Sequence, residues 1–430
     1  MTPTVLIVTV GGSHQPITTS INELGPIYVC FLCTDRDPGT GQPGSRTQVE
    51  GKGNVIKASH ADKAPSLPNL PTQCGLTETA FELCLVPADD LDGVVHKALA
   101  VFSSLRSRFP DARLVADYTG GTKTMTAGLS IAALERSDVE LRLVTGARAN
   151  LQQVHDGTQS GTAAVAEQIR LRRLMAPSLF LWSQYGYGAA AVGLSRISPP
   201  HDPLLRAEWQ IARDLSLAFD AWDRFDHLEA RKLLELYQPR IGEKAGLLIA
   251  FLKTLCLDKA DKRNEPARLI DLWLNAKRRA AQRRYDDAVA RAYRLLEWSA
   301  QWLLRTRADI DTSNVPENRL PPEIALKPGR DGKRQAGLFD GWRLVANLLE
   351  GATAEFARNE AETLLDHLRA RNHSILAHGF TPIDEAMWNR FENWLESNFI
   401  PVLRQAAAHD GFRMEAPQLP DQPIWSRSDA

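Results

Sequence analysis

The chain predicts an α/β domain, a parallel doubly wound sheet, followed by an all-helical region. Three observations carry this. The first 150 residues alternate short apolar runs with helical patterns, the order that builds a parallel sheet. Val5-Leu6-Ile7-Val8-Thr9-Val10 is an almost continuous apolar run, as a strand covered on both faces must be. Beyond the polar stretch 155–162 the apolar residues recur at helical spacing almost to the end.

The elements follow in order. The first strand breaks at Gly11-Gly12-Ser13, and Pro16 opens a helix to about Leu24, because proline suits a first helical turn. A second strand is expected over 27–32. Residues 38–71 are rich in Gly, Pro, Ser and Lys and read mostly as loop, a candidate flexible lid. A third strand over 83–86 precedes a helix over 91–108. A fourth strand over 113–117 meets the turn Thr119-Gly120-Gly121-Thr122-Lys123, which leads into a helix of small and apolar residues to about Leu134. A fifth strand spans 139–144. The polar, glycine-containing stretch 155–162 reads as a hinge. Ser198-Pro199-Pro200-His201-Asp202-Pro203 separates helices, and 204–274 holds several amphipathic ones. A further helix opens at Ala276. A polar segment with prolines covers 309–337, and two helices follow, one containing residues 371–379 and one around 388–399. The tail from Glu415 carries three prolines and reads as loose. The expected domains are therefore 1–160, 161–275 and 276–414, with a tail over 415–430.

At 430 residues the chain exceeds a single comfortable core. Its composition is that of a soluble globular protein, 43% hydrophobic and 24% charged. A formal net charge of −1 excludes a general nucleic-acid coat and leaves only local patches for such a role. Five cysteines argue against a disulfide framework and for a reduced, cytoplasmic compartment. Cys30-Phe31-Leu32-Cys33 has redox spacing but lies in an apolar run, and no second pair stands near it at zinc spacing, so no metal is expected. The first apolar run lacks a basic flank, so it does not read as a signal peptide. No apolar window reaches membrane-spanning length.

Two constellations carry chemistry. Gly11-Gly12-Ser13-His14-Gln15 and Thr119-Gly120-Gly121-Thr122-Lys123 each follow a strand and open a helix, the place where open α/β sheets bind ligands. Glycines admit close backbone approach, helix N-termini offer N–H donors to anions, and Thr119, Thr122 and Lys123 add hydroxyls and charge. The set suits a phosphodiester or a nucleotide. A simpler reading makes the glycines tight turns only. Neither a P-loop nor the dinucleotide fingerprint is present. Asp35 and Asp37 stand where a ribose-binding acid would follow strand two. In the helical region, Arg371-Asn372-His373-Ser374-Ile375-Leu376-Ala377-His378-Gly379 places Arg371 and His378 seven residues apart, roughly 700° around a helix, hence on one face. Arginine holds phosphate by a forked contact and histidine moves protons near neutrality. Gly379 suits a helix C-cap. A capping or surface pair is the plainer alternative. Arg294 and Glu297 read as a helical ion pair, the tryptophans at 298, 302, 388 and 394 as core, and the basic run from Lys277 to Arg284 as either an RNA-steering patch or a solvated face.

These residues resemble a known family. The first 150 are similar to a CRISPR-associated Rossmann fold (CARF) domain, with Asp117-x-Thr119-Gly120-Gly121-Thr122-Lys123-x-Met125 as the most specific element. The last 140 or so resemble a HEPN domain, whose Arg–polar–spacer–His signature Arg371, Asn372 and His378 match. The run from Tyr285 to Glu297 resembles the opening helix of such domains. The resemblance implies a ribonuclease of type III CRISPR immunity, a homodimer without cofactor or metal. Cyclic tetra- or hexa-adenylate would act as allosteric activator at Gly11, Gly12, Ser13, Gln15 and Thr119 to Lys123, and the enzyme would cut single-stranded RNA to 2′,3′-cyclic phosphate and 5′-OH ends. A further reading, added to this one, has the sensor pocket slowly degrading its own ring, with Thr9, Ser13, Thr119 and Thr122 as hydroxyl candidates. The alternative is a non-catalytic ligand sensor whose helices bind DNA or a protein, although no helix-turn-helix is evident.

Overall fold

A computed structural model describes residues 2–50, 67–145, 148–149, 153–154, 160–163, 166–364, 366 and 380–425. It divides into two compact units, residues 1–172 and 173–430.

The first unit is built on the sheet. Strands β1 (Thr4–Thr9), β2 (Tyr28–Cys33), β3 (Phe81–Leu85), β4 (Arg113–Asp117) and β5 (Val139–Thr145) are joined through helices α1 (Gln15–Leu24), α2 (Leu70–Gln73), α3 (Leu91–Arg108) and α4 (Lys123–Leu134). Short strands β6 (Arg148–Ala149) and β7 (Gln153–Val154) pair with each other, and β8 (Ser160–Ala163) returns to the main sheet. The order is β3-β2-β1-β4-β5-β8. The first five strands are parallel and β8 is antiparallel to β5. The sheet is thus mixed rather than wholly parallel. The stretch read as a hinge over 155–162 contributes the edge strand from Ser160, and its residues 155–159 lie outside the described residues. Strand β8 alternates with small polar residues and has no apolar run to announce it.

Both faces of β1 and β2 are covered, which is why every residue of both strands is buried. On one face, Val5, Ile7, Cys30 and Leu32 pack with Val94, Phe102 and Leu105 of α3 and Met125 and Leu129 of α4. On the other, Leu6, Val8, Val29 and Phe31 pack with Ile17 and Ile21 of α1. Cys30 and Cys33 therefore point to opposite faces. Burial pushes the Cys33 thiol up to about 12 and raises that of Cys30 well above its ordinary value. Both stay protonated thiols, unsuited to redox or metal chemistry.

Helix α5 (Glu167–Phe180) begins at the sheet unit, where Arg170 donates to the carbonyls of Ala133 and Val139. The second unit is helical: α6 (Tyr187–Ser195), α7 (Pro203–Asp223), α8 (His227–Ile241), α9 (Glu243–Leu255), α10 (Asn264–Ala281), α11 (Tyr285–Ala308), α12 (Leu338–Leu348), α13 (Ala352–Asn359), α14 (Glu385–Trp394) and α15 (Ile400–His409). A π-helical turn, Leu395–Phe399, joins the last two.

A buried polar network crosses this unit. Asp223 at the end of α7 accepts from Arg278 Nε at 2.8 Å and from Arg279, both on α10. Arg278 is fully buried and also donates to Gln418 Oε1 at 2.6 Å. Asp271 accepts from Trp222 at 3.0 Å and bonds His227 Nε2 at 2.9 Å. The basic run from Lys277 to Arg284 is thus divided: Arg278 and Arg279 are buried, while Arg283 and Arg284 remain on an exposed face. Lys277 pairs with Glu396 at 3.0 Å, Arg278 and Arg279 pair inside the fold, and Arg284 pairs with Asp287.

The tail expected to be loose is packed as far as it is described. Leu419 and Trp425 are buried, Tyr187 donates to the Pro420 carbonyl at 2.7 Å, and Trp182 meets Trp425 edge-on at 5.6 Å. Prolines here stiffen an extended strap whose apolar residues find a groove. Residues 426–430 lie outside the described residues. Trp302 and Trp388 are core, and Trp298 and Trp394 donate to Glu265 and Glu360. Arg294 pairs with Glu297 at 2.8 Å and also reaches Gln301.

We predict that Asp223→Ala costs about 3–5 kcal/mol, because it strands two buried guanidinium groups. Urea denaturation of the full chain measures it; a loss below about 1 kcal/mol would mean the network carries little.

Candidate ligand-binding site

The strand order reverses between β1 and β4. The chain leaves β1 towards β2 and β3 on one side and continues from β4 to β5 on the other. Such a switch point opens a crevice at the carboxyl ends of the strands. The two glycine turns follow these two strands, whose register pairs Val8 with Asp117.

The turns touch. A Cβ on Gly11 would lie 2.5 Å from the backbone nitrogen of Gly121, and one on Gly120 would lie 2.5 Å from the Thr9 carbonyl oxygen. Gly121 also has φ +91°, in the region that side chains rarely adopt. These glycines are required by contact and conformation.

Side chains then lock the second turn. Buried Asp117 accepts at Oδ1 from the Thr119 N–H at 2.9 Å and the Thr119 hydroxyl at 2.5 Å. The Thr119 hydroxyl in turn accepts from the Val144 N–H at 2.7 Å, tying the turn to β5. Thr122 is the N-cap of α4, accepting from the Met125 N–H at 3.2 Å and donating to the Ala88 carbonyl at 2.8 Å. Thr9 and Thr126 both donate to the Gly120 carbonyl, at 2.5 and 3.0 Å. Asp117 Oδ2 is buried without a hydrogen-bond partner.

Of the residues the sequence singled out, Gly11 meets the turn Thr119 to Lys123 at Gly120 and Gly121, and Gly12 and Ser13 follow Gly11 in the first turn. Gly12, Ser13 and Lys123 are exposed. Gln15 opens α1, where its carbonyl accepts from the Thr18 hydroxyl at 3.0 Å. The hydroxyls of Thr119 and Thr122 are engaged internally, so they shape the turn rather than reach out of it. Asp35 and Asp37 likewise brace their own loop, Asp35 against Arg46 at 2.9 Å and Asp37 against the N–H groups of Gly39 and Thr40. Sequence reading missed Gln48, which donates to the Gly11 carbonyl from the loop after β2. A lone glutamine in a polar loop gives no signal of this kind.

Arg371, Asn372, His373, His378 and Gly379 lie outside the described residues. The Ile383 N–H donates to Asp286 Oδ2 at 3.2 Å, at the start of α11. No cluster of three or more metal-ligating side chains occurs among the described residues, and no described helix is long and apolar enough to cross a membrane.

Residues 258–400 match the family model described as the Csm6 HEPN domain. The match begins earlier than the expected boundary at 276 and takes in all of α10. Among solved structures, Enterococcus italicus Csm6 bound to cyclic hexa-2′-fluoro-hexa-dAMP is similar, with a TM-score of 0.59 at 12% identity over 96% of this chain and 95% of that chain. At that identity the likeness speaks to the fold. No curated protein matches. The helical unit thus carries a match to the Csm6 HEPN domain over residues 258–400, and the chain shares the fold of a Csm6 along nearly its whole length, with the glycine turns at the switch point of the sheet unit.

Proposed function

We propose that the chain is a cyclic-oligoadenylate-activated, metal-independent endoribonuclease of type III CRISPR antiviral defence, acting in the cytoplasm as a homodimer. The observation that supports this best is the meeting of two glycine turns at the switch point of the sheet, in a chain whose helical part matches a Csm6 HEPN model. Gly11, Gly12, Ser13, Gln15, Gly120, Gly121 and Lys123 would line the ring-binding crevice, with Thr119 and Thr122 holding it in shape. Backbone N–H groups and one lysine suit the phosphodiesters of a cyclic tetra- or hexa-adenylate.

The cleavage step uses groups the RNA and the protein already hold. The 2′-OH attacks the adjacent phosphorus, the bond to the 5′-oxygen breaks, and a 2′,3′-cyclic phosphate and a 5′-OH result. His378 takes the 2′-OH proton or delivers one to the leaving oxygen. Arg371 stabilises charge on the phosphoryl oxygens. Asn372 orients substrate or pair by hydrogen bonding. Two copies of the motif meeting across a dimer axis would supply both an acid and a base. Activation requires that the ring bind the cleaving arrangement more tightly than the idle one. Slow degradation of the ring belongs to the same reading. Among the candidate hydroxyls, those of Thr9, Thr119 and Thr122 are held internally and that of Ser13 is exposed.

Fluorogenic RNA cleavage in EDTA, with cyclic tetra-adenylate, cyclic hexa-adenylate or no ring, tests the proposal. One ring is expected to switch on cleavage, and His378→Ala to lower the rate by about 10²–10⁴-fold while leaving ring binding intact. An His378→Ala protein that cuts as fast as the parent refutes the assignment. Gly11→Ala is expected to weaken ring binding at least tenfold and to lower thermal stability, since its Cβ meets the Gly121 backbone. Unchanged calorimetric affinity would place the ring elsewhere.

A further inference from the structure

Gln48 is the last residue of a 3₁₀ turn, Ser45–Gln48, in the crossover between β2 and β3. The turn is pinned to the end of β2. The Thr34 N–H donates to Ser45 Oγ and the Ser45 N–H donates to Thr34 Oγ1, each at 3.0 Å, and the Arg46 N–H donates to the Thr34 carbonyl at 3.1 Å. The next residue, Val49, is buried in the core on the α1 side. This anchoring carries the Gln48 side chain to the first glycine turn. It is 1% exposed, and its Nε2 donates to the Gly11 carbonyl.

The amide orientation is fixed by chemistry, because a carbonyl oxygen only accepts. Gln48 Oε1 is then left buried without a donor. Such an orphan costs free energy that an apolar side chain of the same length would avoid. Packing alone therefore does not account for a glutamine at this position. What it supplies is the bond to Gly11. In a trans peptide the C=O and the following N–H point in opposite directions. Holding the Gly11 carbonyl inward turns the Gly12 N–H outward, at an exposed residue, and no partner for that N–H is found among the described residues. The second turn uses the same device with different residues. Thr9 and Thr126 hold the Gly120 carbonyl inward, which turns the Gly121 N–H the other way.

We infer that Gln48 is a positioning residue of the ligand site, holding the Gly11 carbonyl so that the Gly12 N–H faces a phosphate of the bound ring. The inference rests on the reading of the sheet unit as a cyclic-oligoadenylate sensor. Its test is calorimetric titration of full-length parent, Gln48→Met and Gln48→Glu with cyclic tetra- and hexa-adenylate, with ring-free thermal unfolding alongside. Gln48→Met keeps the length and lacks the donor. It is expected to bind about tenfold more weakly, the scale of one lost hydrogen bond, with no loss of ring-free melting temperature. Gln48→Glu is expected to bind weakly at pH 8, where the carboxylate faces a carbonyl, and to recover at pH 5 relative to the parent. A protonated carboxyl donates to Gly11 as the amide does. If Gln48→Met fails to fold, the two pH values for Gln48→Glu carry the test within one protein. Parent-like affinity in both variants, or a loss of affinity that only tracks a loss of melting temperature, overturns the inference. A parent protein that binds neither ring removes the sensor reading itself, and the inference with it.

Discussion

Two parallel strands end side by side, and the turns that follow them occupy the same space. That is possible only because neither Gly11 nor Gly120 has a side chain at the contact. Every other feature of the crevice follows from this closeness. With the backbones in contact, the polar groups between them must be satisfied from outside the turns. Asp117, Thr9, Thr126 and Gln48 come from three different parts of the chain to do it. The result is a braced rim in which the Gly11 and Gly120 carbonyls are engaged by side chains and the N–H groups that follow them have no partner among the described residues. A rim of that polarity favours anions before any side-chain charge is counted.

This division of labour revises the roles of the threonines. A hydroxyl beside a glycine turn looks like a ligand contact when only the sequence is known. Here Thr119 bridges Asp117 to the backbone of β5, and Thr122 caps α4 while holding the Ala88 carbonyl. Each hydroxyl both donates and accepts within the fold. Their loss would act on the ligand through the shape of the turn. Lys123, exposed at the first position of α4, is free of such duties and adds charge where the helix dipole already favours an anion.

The helical unit is governed by a different constraint, the burial of arginine. A guanidinium in a protein interior stays charged and demands partners. Arg278 and Arg279 obtain them from Asp223 and, for Arg278, from Gln418 in the tail. One ion cluster thus ties α7 to α10 and draws the proline-rich strap onto the unit. Burial lowers the Arg278 pKa from its ordinary value, yet that value is so high that the charge persists. The same arginines, read as sequence, form a basic run of the kind that binds RNA. Only their neighbours reveal that the charge is spent inside.

The sequence by itself determined the class of each unit. Apolar runs of strand length separated by helical periods leave a doubly wound sheet as the economical solution, and the glycines after Val10 and Thr119 mark where its crevice opens. The helical pattern and the Arg371–His378 spacing are equally local signals, readable because they depend on residues near each other in the chain. Tertiary structure decided what local pattern does not encode. It made the edge strand from Ser160, whose residues lack an apolar signature. It turned Arg278 and Arg279 inward, packed the tail against Tyr187 and Trp182, and brought Gln48 beneath Gly11 across 37 residues of chain. Each of these rests on a partner distant in sequence, and the identity of such a partner is fixed only when the chain closes on itself.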